Sequence, residues 1–319
     1  MFHLDKNKIT SNLIGKGGFG EVHAYEEHPG DTKWVIKKLS TQDFNCFKFF
    51  LQEIVLGFRN NHPSILSVCG YDIEHLPDGF YHLYIKLPRM KRNLTEQMKK
   101  NKNKGMIPTE EKIVSYFHQL ACGVEYLHSI DVAHQDIKPE NILIDQNGKL
   151  KLSDLGVSKY IPENELSYEV SNIAGCPMYL APELRNHDPQ NRLTLSDLFK
   201  ADIWSLGAVF IEMILLNPLF MNGIPRNEQE AVMVLNEKLS SAEKKLPNFS
   251  KLLRDMLKWN SKERIEIKQV KEQLDSLILV IFFKKIFPEY LFQGNNPLNE
   301  INQGNNLREK KTLTFKNMT

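Results

Sequence analysis

Cysteine is scarce in this sequence: Cys46, Cys69, Cys122 and Cys176 are the only four in 319 residues, and no two form a C-x-x-C pair. Scattered in this way they read as reduced thiols in a reducing compartment, not as a disulfide framework. An excess of charge of one sign is also missing. The formal net charge is +2, so charge balance implies no nucleic-acid partner. Long apolar runs are absent too. The longest, LILVIFF from Leu277 to Phe283, falls well short of the roughly 20 residues that a membrane-spanning helix needs. It reads as a late helix packed on the core, and no membrane span is expected. The N-terminal MFHLDKNKIT has no apolar centre of the kind a signal peptide carries. There is no internal repeat. A soluble, intracellular, cytoplasmic protein is the expectation.

What is present is ordinary globular composition, 41% hydrophobic and 25% charged, with enough chain for a substantial core. The first ~90 residues are strand-like: KITSNLIG, GEVHAYEE and KWVIKKL, then SILSVCGY and FYHLYIKL. Between Asp43 and Asn60, Phe47, Leu51, Ile54 and Phe58 recur at helical spacing and predict one helix with those residues inward. Beyond NLTEQM the texture turns helical. Thr109 is placed to cap a helix whose buried face is Ile113, Phe117, Leu120, Val124 and Leu127. NILIDQNGKLKLSD predicts two short strands about the Asn147-Gly148 turn. Further helices are predicted near 197–216, 226–239, 248–258 and 266–283, and from about 294 the chain is polar and Asn-rich. The fold class is therefore α+β: a small antiparallel sheet lobe with one main helix, then a larger, mostly helical lobe. A cleft between the two is the natural ligand site.

The chemistry-bearing residues fall in order along this frame. Gly15, Gly17 and Gly20 form G-x-G-x-x-G between two strands. A Rossmann unit needs a helix after its glycines, so the pattern favours a two-strand flap over phosphate. Lys37 lies in a strand some 20 residues on, and Glu53 on the following helix is placed to orient it. HQDIKPEN then puts Asp136, Lys138 and Asn141 within six residues. An aspartate there can accept a hydroxyl proton, a lysine can neutralise a phosphoryl group, and an amide oxygen is a hard ligand for Mg²⁺. SDLG adds Asp154. Two oxygen donors, two lysines and a glycine flap describe a Mg-nucleotide site.

In this order the segments GKGGFGEV, WVIK with Glu53, HQDIKPEN, DLG, APE (Ala181 to Glu183), DIWSLG (Asp202 to Gly207) and ERI with Arg264 resemble a eukaryotic protein kinase domain. Lys138 two residues after Asp136 is similar to the serine/threonine type. The resemblance implies a domain over 1–283, with an N-lobe at about 9–90 and a C-lobe at about 91–283, followed by a tail at 284–319. It implies ATP and Mg²⁺ as cofactors and a protein substrate as partner. Ile14, Gly15, Lys16, Gly17, Gly18, Phe19 and Gly20 would form the phosphate flap. Lys37, braced by Glu53, would hold the α- and β-phosphates. Val22, Val35, Leu87, Met90 and Leu143 would surround adenine. Asp136 would orient or deprotonate the acceptor, Lys138 would steady the γ-phosphate, and Asn141 and Asp154 would hold the metal. Glu183–Arg264 and Asp202 would be scaffold.

Four positions depart from the resemblance. Gln135 stands where many such kinases have arginine, and an amide cannot clasp a phosphate on the activation segment as a guanidinium does. Activity is therefore expected not to depend on phosphate docking there, although Ser158, Ser167, Tyr168 and Ser171 are open to modification. Cys176 replaces a threonine that bonds the catalytic aspartate and lysine. Leu155 replaces a phenylalanine and remains apolar. Gly57 replaces a large apolar residue, which predicts a loosely seated helix set by a regulatory protein partner. The leading reading is an active kinase. A nucleotide-binding pseudokinase scaffold is the alternative, weakened because Lys37, Asp136 and Asp154 are all present. A small-molecule kinase would lack the APE and DIWSLG segments.

Overall fold

The computed structural model describes residues 4–17, 20–160, 175–185, 193–221, 225 and 227–286, and two compact units divide the chain at Lys271/Glu272. The first unit begins with a five-stranded antiparallel sheet. Its strands are β1 (Ile9–Gly17), β2 (Gly20–Tyr25), β3 (Trp34–Thr41), β4 (Gly70–His75) and β5 (Tyr81–Pro88), in the order β1-β2-β3-β5-β4. Gly17 pairs with Gly20. That is the expected strand–glycine–strand order; Gly18 and Phe19 lie outside the described residues. β3 is central, pairing Lys37 with Val22 on one side and Ile85 on the other.

Helix α1 (Phe44–Arg59) packs on this sheet, its first turn capped by the Asp43 carboxylate, which accepts from Asn45 N at 2.8 Å. Its buried face is Phe50, Glu53, Ile54 and Gly57. The expected face was rotated from this. Ile54 holds its place and Phe47 and Leu51 are half-buried, but Phe58 is 51% exposed, edge-on to Tyr71. The helix turned because it brings a glutamate and a glycine inward, which an apolar-only pattern does not count.

The stretch 64–69 is not the strand that SILSVCGY suggested. Its backbone bonds go to four different partners: Ile65 N donates to His62 O, Ser64 and Leu66 bond Leu152, Val68 N donates to Gly57 O at 2.9 Å, and Cys69 N donates to Lys86 O. The strand begins only at Gly70. This path also overturns the expectation at Gly57. A Cβ there would lie 2.5 Å from Val68 Cγ2. The space that a large side chain would fill from the helix is filled by Val68 from the other side, and α1 is closely seated. Gly57→Ala should therefore lower the melting temperature. Overpacking costs about 1–3 kcal/mol against ~1 kcal/mol gained in helix propensity. In a Val68→Ala background the same change should be neutral or stabilising, and thermal unfolding of the two pairs checks this.

The helical part follows. β6 (Arg92–Asn93) leads into α2 (Leu94–Asn103), then α3 (Glu110–Ser129), capped as expected by Thr109 with Oγ1 accepting from Lys112 N at 3.3 Å. β7 (Val132–Ala133), β8 (Ile142–Ile144), β9 (Leu150–Leu152) and β10 (Lys159–Tyr160) are the short strands that frame the loops between them. Gly148, at φ +76, makes the turn between β8 and β9. After α4 (Pro182–Arg185) comes α5 (Leu195–Leu215), buried nearly all round as a central core helix should be. Phe210 of α5 stacks on Phe117 of α3 at 3.8 Å. α6 (Glu228–Lys245), α7 (Ser250–Met256) and α8 (Ile267–Ile286) complete the order. The segment RNHDPQNRLTLSDLFK (185–200) is long for the stretch between the APE and DIWSLG segments and suggests an extra surface loop, but 186–192 lie outside the described residues.

LILVIFF does form helix, within α8. Leu279, Phe282 and Phe283 are 53%, 46% and 38% exposed, and they belong to the second unit. No helix among the described residues is long and apolar enough to cross a membrane. None of the four cysteines forms a disulfide.

Candidate active site

β3 and α1 bring the first pair of charges together. Lys37 Nζ donates to Glu53 Oε1 at 2.7 Å and Oε2 at 2.8 Å, and to Asp154 Oδ1 at 3.3 Å. Burial alone would lower the lysine's pKa, but the Glu53 and Asp154 carboxylates outweigh it and hold it above its ordinary value. Lys37 is thus a fixed cation. Asp154 sits in the left-handed region at φ +66, ψ +66.

The second group is built on the loop after β7. Asp202 of α5 organises the backbone, accepting from His134 N and Gln135 N at 2.8 Å each and from His128 Nε2 at 2.9 Å. The buried His134 ring cross-links two segments. Its Nδ1 accepts from Asp136 N at 3.3 Å, which leaves Nε2 to donate to Ser153 O at 3.1 Å. Asp136, itself buried, is then surrounded by donors. Oδ2 accepts from Lys138 Nζ at 2.5 Å and Asn141 Nδ2 at 2.7 Å, and Oδ1 accepts from Cys176 N at 3.0 Å. Asn141 O accepts from Ser153 N at 2.9 Å and Ser153 Oγ at 3.0 Å, which sets Asn141 beside the residue preceding Asp154. The Asn141 amide nitrogen is committed to Asp136, so its oxygen is the atom left to act as a ligand.

Among the described residues no three His, Cys, Asp or Glu side chains cluster as a protein-only metal cage. One carboxylate and one amide oxygen fit the sparse protein contribution typical of Mg²⁺, whose other ligands are water and substrate phosphate. A cavity of about 620 Å³ lies on the α1 side of Asp154, lined by Gly20, Lys38, Phe49, Glu53, Asp154 and Gly156; Lys37, Asn141 and the residues expected around a base are not part of its lining. The apolar residues expected around a base also converge: Val35 and Leu87 are paired in register, and Val22, Met90 and Leu143 pack on the same cluster. Ile14 is on the exposed side of β1, and the Lys16 ammonium pairs with Glu21 at 3.0 Å on the rim.

A family model described as protein kinase domain matches residues 9–274. The chain belongs to the protein kinase family. Similar proteins include the mouse serine/threonine-protein kinase Nek4, 28% identical over 272 residues, 82% of this chain and 31% of the relative. CBL-interacting serine/threonine-protein kinase 20 of Arabidopsis thaliana is 30% identical over 284 residues, 84% of this chain and 60% of the relative. Mouse serine/threonine-protein kinase Nek5 is 30% identical over 221 residues, 69% of this chain and 31% of the relative. The chain therefore spans only about a third to three fifths of the length of these relatives.

Within this kinase domain the departures acquire a physical meaning. Gln135, at φ +66, donates from Nε2 to Leu198 O at 3.1 Å on α5. Its side chain thus bonds the helix backbone. Ser158 cannot serve as the modification site first considered: it is buried, and its Oγ donates to His134 O at 3.3 Å. Ser167, Tyr168 and Ser171 lie outside the described residues. Replacing those three together by Ala, Phe and Ala should leave kcat within about threefold, since the bond at residue 135 is neutral and needs no phosphate partner; steady-state transfer to a peptide measures it. At Cys176 the backbone N–H, not the side chain, supports Asp136, so the threonine-to-cysteine change leaves that bond in place. Leu155 is buried, as its apolar character suggested.

Sequence reasoning missed Gln52, whose amide bonds the turn after Asp154. No motif marks it; only its adjacency to Glu53 in the sequence singles it out.

Proposed function

We propose that this chain is an active ATP-dependent protein kinase. It transfers the γ-phosphoryl group of Mg-ATP to serine or threonine hydroxyls of a protein substrate. The observation that carries this reading is the Lys37 ammonium bridging Glu53 and Asp154, with Asp154 joined through Ser153 and Asn141 to the Asp136 loop. A scaffold that merely bound nucleotide would have no need to hold an aspartate, a lysine and an amide in hydrogen-bonding order beside it.

Mg-ATP supplies the transferable phosphoryl group, with its charge partly neutralised by the metal. Asn141 and Asp154 would hold that metal, and Lys37 the nucleotide's phosphate charge, its position fixed in advance by Glu53. Val22, Val35, Leu87, Met90 and Leu143 would enclose the base, under the flap of Ile14 to Gly20. Asp136 orients the acceptor hydroxyl and takes up its proton. Lys138, already on Asp136 Oδ2, would steady the γ-phosphate as it transfers.

The same reading assigns residues 1–283 to the kinase domain, with lobes meeting near residue 90, and residues 284–319 to a tail. It puts the protein in the cytoplasm, in keeping with four cysteines none of which forms a disulfide. A regulatory partner loses the motive first given for it, because Val68 already seats α1 at Gly57. The test is label transfer from γ-labelled ATP to a peptide library, with and without Mg²⁺. Mg-dependent label on serine or threonine is the expected result. No transfer, or transfer only to tyrosine, would overturn the proposal.

A further inference from the structure

Helix α1 carries the Glu53 that fixes Lys37, so something must hold this helix at the correct rotation and depth. Val68 does so at the C-terminal end. At the middle of the helix the contact is polar, and it comes from the residue next to Glu53. Gln52 Nε2 donates to Leu155 O at 3.3 Å and also to Ser158 O. An amide NH₂ has two N–H groups, one for each carbonyl. The two acceptors flank the single turn Leu155–Val157 that follows Asp154, and Ser158 N bonds Leu155 O at 3.2 Å to close that turn. Gly156 lies against the helix, where a Cβ would be 3.5 Å from Phe49 O. From Ser158 the chain of bonds continues through Oγ to His134 O, two residues before Asp136. Two side chains, Gln52 and Ser158, therefore connect the helix bearing Glu53, the turn positioning Asp154 and the loop bearing Asp136.

We propose that Gln52 is a positioning residue: its amide latches α1 to the turn after Asp154, so that the Lys37–Glu53–Asp154 triad forms without a helix-seating partner. This rests on the kinase reading for its catalytic consequence, though the latch itself is a statement about structure. The carbonyls need a donor. A methionine at 52 matches the length of glutamine and has none. An ionised glutamate matches its shape and presents oxygen to oxygen.

The experiment compares wild type, Gln52→Met and Gln52→Glu in peptide phosphorylation, with and without Glu53→Gln. Gln52→Met should lower kcat by about threefold to tenfold, the effect of one or two lost amide bonds, with the KM for peptide unchanged. Gln52→Glu should lose more near neutral pH. Its rate relative to wild type should recover as pH falls, because a protonated carboxyl regains one donor. In a Glu53→Gln background the loss from Gln52→Met should shrink below about twofold, since the latch acts through Glu53. A wild-type rate in Gln52→Met, or a loss undiminished by Glu53→Gln, overturns the proposal. Amide hydrogen exchange of the same proteins gives a readout free of catalysis: residues 44–59 and 155–158 should exchange faster in Gln52→Met. Unchanged exchange overturns the latch, whereas faster exchange in a protein that transfers no phosphate supports the latch and sinks only the kinase reading.

Discussion

Asp136→Asn should lower kcat for peptide phosphorylation by roughly 10²- to 10⁴-fold, the range spanned by a lost general base. The surroundings of residue 136 make the loss severe. Oδ1 accepts from Cys176 N, and Oδ2 accepts from Lys138 Nζ and Asn141 Nδ2. Every neighbour is a donor. An asparagine must turn its NH₂ toward one side or the other, and either choice sets a donor against a donor. On the proposed role of Asp136 the substitution removes the base, and it also disturbs the lysine and the amide beside it. Nucleotide affinity should change far less, because the Lys37–Glu53–Asp154 triad and the apolar cluster around Val35 and Leu87 are built on other elements. Label transfer and a fluorescent-nucleotide titration on the same preparation separate the two effects. A variant that retained wild-type kcat would remove Asp136 from the chemistry.

The site was legible where its residues are short motifs with fixed spacing. Lys37 and Glu53 meet as expected, and Asp136, Lys138 and Asn141 gather within one loop because six residues cannot spread far. The sheet was legible where alternation and glycines agree, as in β1 and β2. It failed at 64–69, whose apolar residues look like a strand but whose backbone groups serve Leu152, Gly57 and Lys86 in turn. That division is decided by tertiary structure, which the local pattern does not contain. Gly57 failed for a related reason. A glycine on a buried helix face reads as a missing contact, whereas here it admits a neighbour distant in sequence. Gln135 was expected not to clasp a phosphate, since an amide lacks the charge for it. What it holds instead, the Leu198 carbonyl, depends on the approach of α5, 63 residues away in the chain.

Glu183→Ala should destabilise the fold by about 3–5 kcal/mol, the cost of removing one partner from a buried ion pair. Arg264 is the reason. Its side chain is 0% exposed, and all five of its N–H groups are used. Nε and one Nη2 proton go to Lys258 O, one Nη1 proton goes to Lys200 O at 2.6 Å, and the remaining two go to the Glu183 carboxylate at 2.7 and 3.0 Å. Trp204 lies 5.2 Å from the guanidinium. Without Glu183 the charge stays buried, with two donors empty and no anion. At roughly 2–4 °C per kcal/mol for a domain of this size, the melting temperature should fall by about 6–20 °C. Arg264→Lys should not substitute, because an ammonium has three donors where five acceptor contacts wait. The double variant Glu183→Ala/Arg264→Met should recover part of the loss, since removing the stranded charge outweighs giving up the three bonds to the Lys200 and Lys258 carbonyls. Thermal unfolding of the two single variants and the double decides it. If the double variant melts below both singles, desolvated charge is not what Glu183 offsets, and the bridge acts through its hydrogen bonds to the Lys200 and Lys258 carbonyls instead.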